Sequence, residues 1–473
     1  MRRIKLVKTA ESEQKHLLFE VSQKIYARSV TGVFARWRWA MVWFTQVLFY
    51  GLPWLSWNER QAILFDLAER KFHIFGLILY PQDFIYLTVL LIISAMSLFL
   101  FTSVAGRLWC GYTCPQTVYT EIFMWIESKI EGDRNQRIRL DNRGSKKEKY
   151  RKKTLKHATW LAVAFWTGIS FVGYFTPIRD LVVQLVTFSL GPWQSFWILF
   201  YGFSTYGNAG FLREQVCKYM CPYARFQGVM FDADTLVITY DDKRGDPQGA
   251  RSKMSDPKSL GLGDCVNCSL CVQVCPTGID IRDGMQYECI GCAACIDACD
   301  KVMEKVGYPK GLIRYDTLNG IENGWTRKQL WKRVLRIRVW IYTAILSTAV
   351  IILLSSIATR VPLKVDVLRD RGALSREVKN GYIENVYRIM ILNSAEIERE
   401  YSLEIEGLRD AIIDTDKTID VDAVGNRLFA VRVQAAPNAG DAGSNQIYFV
   451  VTATDDASVT QREKSSFFFP QPR

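Results

Sequence analysis

The sequence runs to 473 residues, room for about three domains at ~150 residues each, and it is 49% hydrophobic against 23% charged. That balance excludes wholesale disorder. Lys and Arg number 60 against 48 Asp and Glu, a formal charge of +12, and His16, His73 and His157 are the only three histidines. Three scattered His cannot supply paired haem ligands, so a multihaem membrane cytochrome is excluded. The mean hydropathy of 0.00 is what apolar spans averaged with polar segments would give.

Five uncharged runs are long enough to cross a ~30 Å hydrocarbon core, which takes ~20 helical residues. In chain order they are Trp39–Asn58, Phe84–Gly106, Ala158–Ile178, a stretch inside residues 181–212, and Val339–Thr359. The fourth is broken by Gly191-Pro192, so its span is expected from about Pro192 to Gly207. No signal-peptide cleavage pattern precedes the first run. Short loops rich in Lys and Arg stay in the cytoplasm. Residues 1–38 hold nine such residues and residues 107–157 hold thirteen, whereas the alternate loops hold three and one. The N-terminus is therefore expected in the cytoplasm and the tail from Arg360 outside it, which in a bacterium is the periplasm. The tail carries a net charge of −3 and the rest +15, in agreement. The basic stretch Arg134–Lys156 reads as packing against anionic lipid headgroups rather than as a nucleic-acid patch. A multi-pass protein of the inner membrane is expected, with no nucleic-acid partner.

All twelve cysteines fall on the predicted cytoplasmic side, where thiols stay reduced, so metal or redox-cofactor ligation is expected rather than disulfides. Cys265-x2-Cys268-x2-Cys271-x3-Cys275-Pro276 fits the bacterial ferredoxin run, and Cys289-x2-Cys292-x2-Cys295-x3-Cys299 repeats it. Three thiolates at this spacing wrap one face of a cubane, and the fourth points elsewhere. The expected sets are Cys265, Cys268, Cys271 and Cys299 for one 4Fe-4S cluster, and Cys289, Cys292, Cys295 and Cys275 for the other. Zinc also takes four thiolates, but two tandem copies of this spacing speak against it. Asp300 stands where a second Pro would complete the repeat, leaving that turn open.

The other four cysteines form a twin motif. Arg107-Leu-Trp-Cys110-Gly-Tyr-Thr-Cys114-Pro115 follows the second run, and Arg213-Glu-Gln-Val-Cys217-Lys-Tyr-Met-Cys221-Pro222 follows the fourth. Each is preceded by two spans, which reads as a tandem duplication bringing two cysteine pairs to equivalent places at the membrane surface. A spacing of four puts both sulfurs on one side of a turn, and the Pro is expected to end that turn. Four soft thiolates suit Cu(I), zinc or a further iron-sulfur centre. Met124 and Met220 lie near enough in sequence to add thioethers to copper, although packing is the commoner role of such Met.

These residues resemble the CcoG family, also called FixG or RdxA, over essentially the whole chain. The resemblance implies a membrane-bound iron-sulfur enzyme that reduces Cu(II) to Cu(I) for copper delivery during assembly of cbb(3)-type cytochrome c oxidase. It further implies copper handling, catalytic and metal-binding, by Cys110, Cys114, Cys217 and Cys221. The related NapH and NosR proteins share the twin motif and pass electrons between quinol and a partner reductase, which keeps that reading open. A third reading is a non-enzymatic copper chaperone with structural clusters. The partners expected are membrane lipid, copper ions, copper chaperones or oxidase assembly factors, and an unidentified cytoplasmic electron donor; a homodimer is left open.

From Val361 the pattern turns to β. The segments beginning at Leu363, Tyr387, Tyr401, Leu428 and Ile447 alternate or are rich in β-branched and aromatic residues. Six or seven such strands in about 110 residues suggest an immunoglobulin-like sandwich. It has no Cys or His, so docking rather than catalysis is expected of it. The whole reads as a basic N-terminal segment (1–38), a membrane region with four spans (39–212), a cytoplasmic region (213–338) with the ferredoxin domain at about 255–310, a fifth span (339–359) and a periplasmic all-β domain (360–473).

Overall fold

The computed structural model describes residues 24–251, 260–370, 372, 374–378 and 381–470. His16, most of the basic N-terminal segment and the first residues of the expected ferredoxin domain lie outside them. The chain forms two compact units, one from Met1–Phe44, Phe101–Ala164 and Phe203–Arg336, the other from Thr45–Leu100, Phe165–Gly202 and Ile337–Arg473. The division falls inside the helices Val33–Gly51, Phe84–Ala105, Lys146–Val172 and Pro192–Gly207, and at the start of Ile337–Ala358.

Each of the five apolar runs contains a helix, the first leaving it after Gly51 and the third after Val172, but only Pro81–Ala105 and Ile337–Ala358 are long and apolar enough to cross a bilayer by length and composition among the described residues. The first helix carries Arg36 and Arg38, the third begins in the basic run at Lys146, and the fourth has 16 residues. A further helix, Ile178–Val186, precedes the Gly191-Pro192 break.

In the first unit, the antiparallel pair Val237–Tyr240 and Ile313–Asp316 flanks the cysteine-rich loops. Ile238, Ile281, Ile296, Met303, Leu312 and Ile313 form the core under them. This core is fastened to the first helix by one carboxylate. Asp297 accepts from the backbone N–H groups of Phe34 (3.2 Å) and Ala35 (2.7 Å), satisfying donors that the first turn of a helix leaves without partners.

In the second unit, the tail forms a sandwich. One sheet runs in the order Ile412–Ile413, Asn426–Ala435, Ile383–Asn393, Leu363–Arg369, with Arg376–Glu377 also pairing with Ile383–Asn393. The other runs Thr418–Val421, Arg399–Glu406, Gly443–Ala453, Thr460–Phe469. Strand alternation sends Tyr387, Ile389, Ile391, Val431 and Val433 inward from the first sheet, and Tyr401, Leu403, Phe449, Val451 and Phe467 from the second. The described residues thus hold nine strands rather than six or seven. Thr460–Phe469 escapes the sequence pattern because its first half is polar.

The segment between the first two apolar runs is not a plain loop. Ile63–Asp66, Lys71–Ile74 and Leu77–Leu79 make a small sheet whose Ile78 and Tyr80 pack on Leu392 of the sandwich. Asp83, 5% exposed, binds Arg360 at 2.7 Å, Lys364, and the backbone N–H of Tyr80. Removing one member strands buried charge. Asp83→Asn is expected to destabilise this unit by about 3 kcal/mol, visible as a fall in the Tm of the full chain in detergent.

Candidate metal centres

The two ferredoxin runs bend back on themselves, and the backbone shows how. Asn267 and Ser269 in the first, and Gly291 and Ala293 at the matching places in the second, have φ of 51°, 56°, 70° and 59°. Alternating left- and right-handed residues turn successive N–H groups inward, and those of Gly291 and Ala294 bond the sulfurs of Cys289 and Cys292. The helix Ala294–Val306 then returns Cys299 to the first loop. One cavity is lined by Cys265, Cys268, Cys271 and Cys299 with Tyr240 and Arg282. The other is lined by Cys275, Cys289, Cys292 and Cys295, with Cys271 shared between the two. The helix continues through Asp300, which accepts from Gly311 N–H at 2.9 Å. No turn exists there for a second Pro to make.

This donor set fits iron-sulfur clusters. The remaining walls are mostly apolar, including Ile238, Ile279 and Ile281 at one cavity and Val266, Met303 and Leu312 at the other. Burial pushes the thiols of Cys271 and Cys292 up to about 11 and those of Cys289 and Cys299 up to about 12, so cationic metal is needed for them to ionise at neutral pH. Among the described residues no three His, Cys, Asp or Glu side chains converge as the ligands of a single ion would. A lone zinc would draw its thiolates to about 3.8 Å of one another, whereas the corners of a cube hold them apart. Thr277 adds a hydroxyl 3.2 Å from Cys275 Sγ.

The twin motif is built differently from the expectation. Cys110 sits in the short helix Leu108–Tyr112 and Cys217 in the π-type turn Val216–Met220, while Cys114 and Cys221 cap the helices Pro115–Ile130 and Pro222–Met230. Each Pro therefore starts the next helix rather than simply ending a turn, because at the first helical position its missing N–H costs nothing and its φ is already set.

The two copies interlock. Gln116, just after Pro115, donates to the carbonyls of Asn208 and Arg213 at 3.0 and 3.1 Å; Tyr223, just after Pro222, bonds the Thr102 hydroxyl at 2.6 Å. Arg213 reaches Glu127 on the helix behind the first motif at 3.0 Å, and Arg107 reaches the Ala224 carbonyl on the helix behind the second at 2.8 Å. Each copy is held by the other's helix, which leaves the four thiols near enough to repel one another when ionised, although among the described residues no three of them converge as the ligands of one ion. Burial, followed by the repulsion of Cys114, Cys110 and Cys221, pushes Cys217 up to about 12. Burial likewise raises Cys114, and it raises Cys110 to about 11. Gln227 contacts Cys110 Sγ through its amide nitrogen at 3.4 Å.

The backbone of the first motif lies against the second ferredoxin loop. A Cβ on Gly111 would stand 2.8 Å from the backbone of Gly291 and 2.9 Å from Cys292 Cα. Arg38 donates to the Cys292 carbonyl at 2.6 Å, Tyr315 to the Gly291 carbonyl at 2.6 Å, and Arg107 to the Tyr287 carbonyl. Arg38, Gln227, Asp297 and Tyr315 carry no motif that sequence reading could seize on. Met124 lines a cleft with Cys217, and Met220 is exposed.

Part of the basic run turns inward. Glu127 and Glu131 are almost fully buried. Glu127 meets Arg137 at 2.9 Å and Lys156 at 3.5 Å; Glu131 meets Lys156 at 2.9 Å and Lys153 at 3.1 Å. Burial opposes the charge on Glu127, yet Arg213, Arg137 and Lys156 hold its carboxyl below the ordinary range. Arg137, Lys153 and Lys156 thus neutralise internal carboxylates, which corrects their assignment to lipid headgroups.

Comparison with known proteins agrees with this architecture. Residues 212–318 match a 4Fe-4S dicluster domain, residues 87–132 a 4Fe-4S binding domain, and residues 353–470 the Ig-like fold at the C-terminal end of FixG, a model described as that of an oxidoreductase. RdxB of Cereibacter sphaeroides is 39% identical over 410 residues, covering 85% of this chain and 86% of its own. FixG of Rhizobium meliloti is 39% identical over 422 residues, covering 83% and 80%. RdxA of C. sphaeroides is 36% identical over 454 residues, covering 93% and 95%. The chain belongs to the FixG/RdxA/RdxB family. A crystal structure of a FixG-related protein from Vibrio parahaemolyticus aligns with 24% of the chain and 98% of its own length at 25% identity, with a TM-score of 0.22. As a FixG-family protein the chain combines 4Fe-4S domains with the Ig-like C-terminal domain, an iron-sulfur oxidoreductase in class.

Proposed function

We propose that the protein is a membrane-bound cupric reductase that converts Cu(II) to Cu(I) for copper delivery to a cbb(3)-type oxidase. The observation that carries this reading is the close approach of Gly111, next to Cys110, to the backbone of Gly291 and Cys292 in the second ferredoxin loop. In the proposal Cys265, Cys268, Cys271 and Cys299 hold one 4Fe-4S cluster and Cys275, Cys289, Cys292 and Cys295 the other. Bound there, the clusters supply electrons one at a time. Cys110, Cys114, Cys217 and Cys221 bind copper, and because thiolates prefer Cu(I) their binding favours the reduced ion. Two thiolates suffice for Cu(I). Arg38 and Tyr315 fix the loop carbonyls between the two groups, and Gln227 fixes Cys110.

The same proposal places five spans in the inner membrane, with the N-terminus and all twelve Cys cytoplasmic and the sandwich periplasmic. The two helices long and apolar enough to cross a bilayer, Pro81–Ala105 and Ile337–Ala358, support a membrane location. Oxidase assembly factors or copper chaperones would receive the Cu(I), and the sandwich would serve docking. The test is a single turnover: protein reduced anaerobically and freed of reductant should yield about two Cu(I) per chain, one per cluster, read with a colorimetric Cu(I) chelator. The oxidised protein should yield none.

One observation favours a second reading. The 4Fe-4S binding domain matched at residues 87–132 contains Cys110 and Cys114 but none of the eight ferredoxin cysteines. A third iron-sulfur centre at the twin motif would make the protein an electron-transfer subunit. It would then carry well above about eight iron atoms per chain, and the excess would vanish with the four thiols.

A further inference from the structure

Beside Cys217, an open pocket of about 480 Å³ is lined by Arg107, Cys217, Lys218, Arg225, Tyr287 and Glu288, among others. Three cations face one carboxylate. Arg107 is 7% exposed, with both Nη atoms held by the Tyr287 and Ala224 carbonyls. It therefore acts on the pocket through a fixed positive charge. The twin motif itself is lopsided here. The place held by Gly111 in the first copy, where there is no room for a side chain, is held in the second by Lys218, whose side chain joins this pocket. A free Cu(II) ion approaching Cys217 through three positive groups would be repelled, whereas a complex of opposite charge would be concentrated there.

We propose that copper enters this pocket as an anionic, carboxylate-bearing chelate and passes to Cys217 by ligand exchange, rather than arriving as the free cation. The inference rests on the cupric-reductase reading and names its substrate class. A sulfur–copper bond to Cys217 forms as a copper–oxygen bond to the chelator breaks, and the thiol proton leaves on the freed carboxylate. One electron from the iron-sulfur centre reduces Cu(II) to Cu(I). Lys218 and Arg225 hold the chelator's remaining charge and orient the complex.

The test compares cupric citrate with the cationic bis-ethylenediamine complex, using full-length protein in detergent, reduced anaerobically. The KM for citrate is expected to be lower by at least about tenfold and to rise with salt. Lys218→Glu with Arg225→Glu should raise the citrate KM about tenfold and lower that of the cationic complex; the milder Lys218→Gln with Arg225→Gln should fall between, with iron content reporting folding. Equilibrium dialysis of redox-inert zinc citrate against oxidised protein should show the same about tenfold loss in the charge-reversed variant. Equal KM values for the two copper complexes, or variants that shift both alike, would overturn the inference and leave the reductase reading standing. Loss of citrate preference on transfer to phosphatidylglycerol vesicles would overturn it in favour of a lipid headgroup. Failure of the wild type to reduce either complex would sink the reductase reading and this inference together.

Discussion

Replacing Cys110, Cys114, Cys217 and Cys221 together by Ala is expected to abolish copper reduction while leaving about eight iron atoms per chain and the EPR signals of both reduced clusters. The separation of effects follows from geometry. The eight ferredoxin thiols line their own two cavities, and none of the four others lines either of them; the motifs meet the ferredoxin loops through backbone at Gly111, through Arg107, and across a cleft that Cys217 shares with Cys292. Loss of four half-buried thiols leaves small voids, which the interlocking bonds of Gln116, Tyr223 and Arg213 span. Because burial keeps Cys110 and Cys217 protonated at neutral pH, copper uptake by the wild type must release protons, and its affinity should weaken as pH falls. The variant should show no such dependence. Full reduction by the four-Ala protein would remove these residues from the mechanism; loss of iron beyond about eight atoms would favour the third-cluster reading.

What could be read in the sequence was chemistry carried by spacing. The x2-x2-x3 runs specified two tight loops and a returning helix, since only residues of small reach and left-handed tolerance fit at 267, 269, 291 and 293. The sandwich was legible because alternation is local. Interactions between distant segments were not. Nothing local marks Asp297 as the cap of a helix more than 260 residues earlier, or Glu127 as the partner of Arg213. The basic run misled because charge composition does not say whether a Lys faces headgroups or a buried Glu, and Lys153 and Lys156 are decided by Glu131 and Glu127 on another helix. One cue lay in plain view. In otherwise matching motifs, Cys110-Gly-Tyr-Thr-Cys114 and Cys217-Lys-Tyr-Met-Cys221, a Gly facing a Lys marks which copy another backbone must approach.

That Gly carries the other large expected effect. Gly111→Val should leave both clusters in place, with about eight iron atoms, yet slow electron delivery to copper by at least about tenfold. Gly111 has ordinary helical surroundings and is buried, so the glycine is needed for closeness rather than for an unusual dihedral. The atoms a Cβ would meet are the carbonyl carbon and oxygen of Gly291 and the Cα of Cys292. None is the end of a flexible side chain, so the loop or the motif must move. The loop carbonyls are pinned by Tyr315 and Arg38, so the movement falls on the motif and separates it from the loop. Electron transfer through protein weakens steeply with distance, so separating the motif from the loop slows it. Gly111→Ala, with the same first contact but less bulk, should lie between. Stopped-flow oxidation of the reduced clusters by Cu(II) reads the rate directly, and the total Cu(I) formed should remain about two per chain. A variant that oxidises at the wild-type rate would show that the Gly111–Gly291 contact does not set the path of the electron.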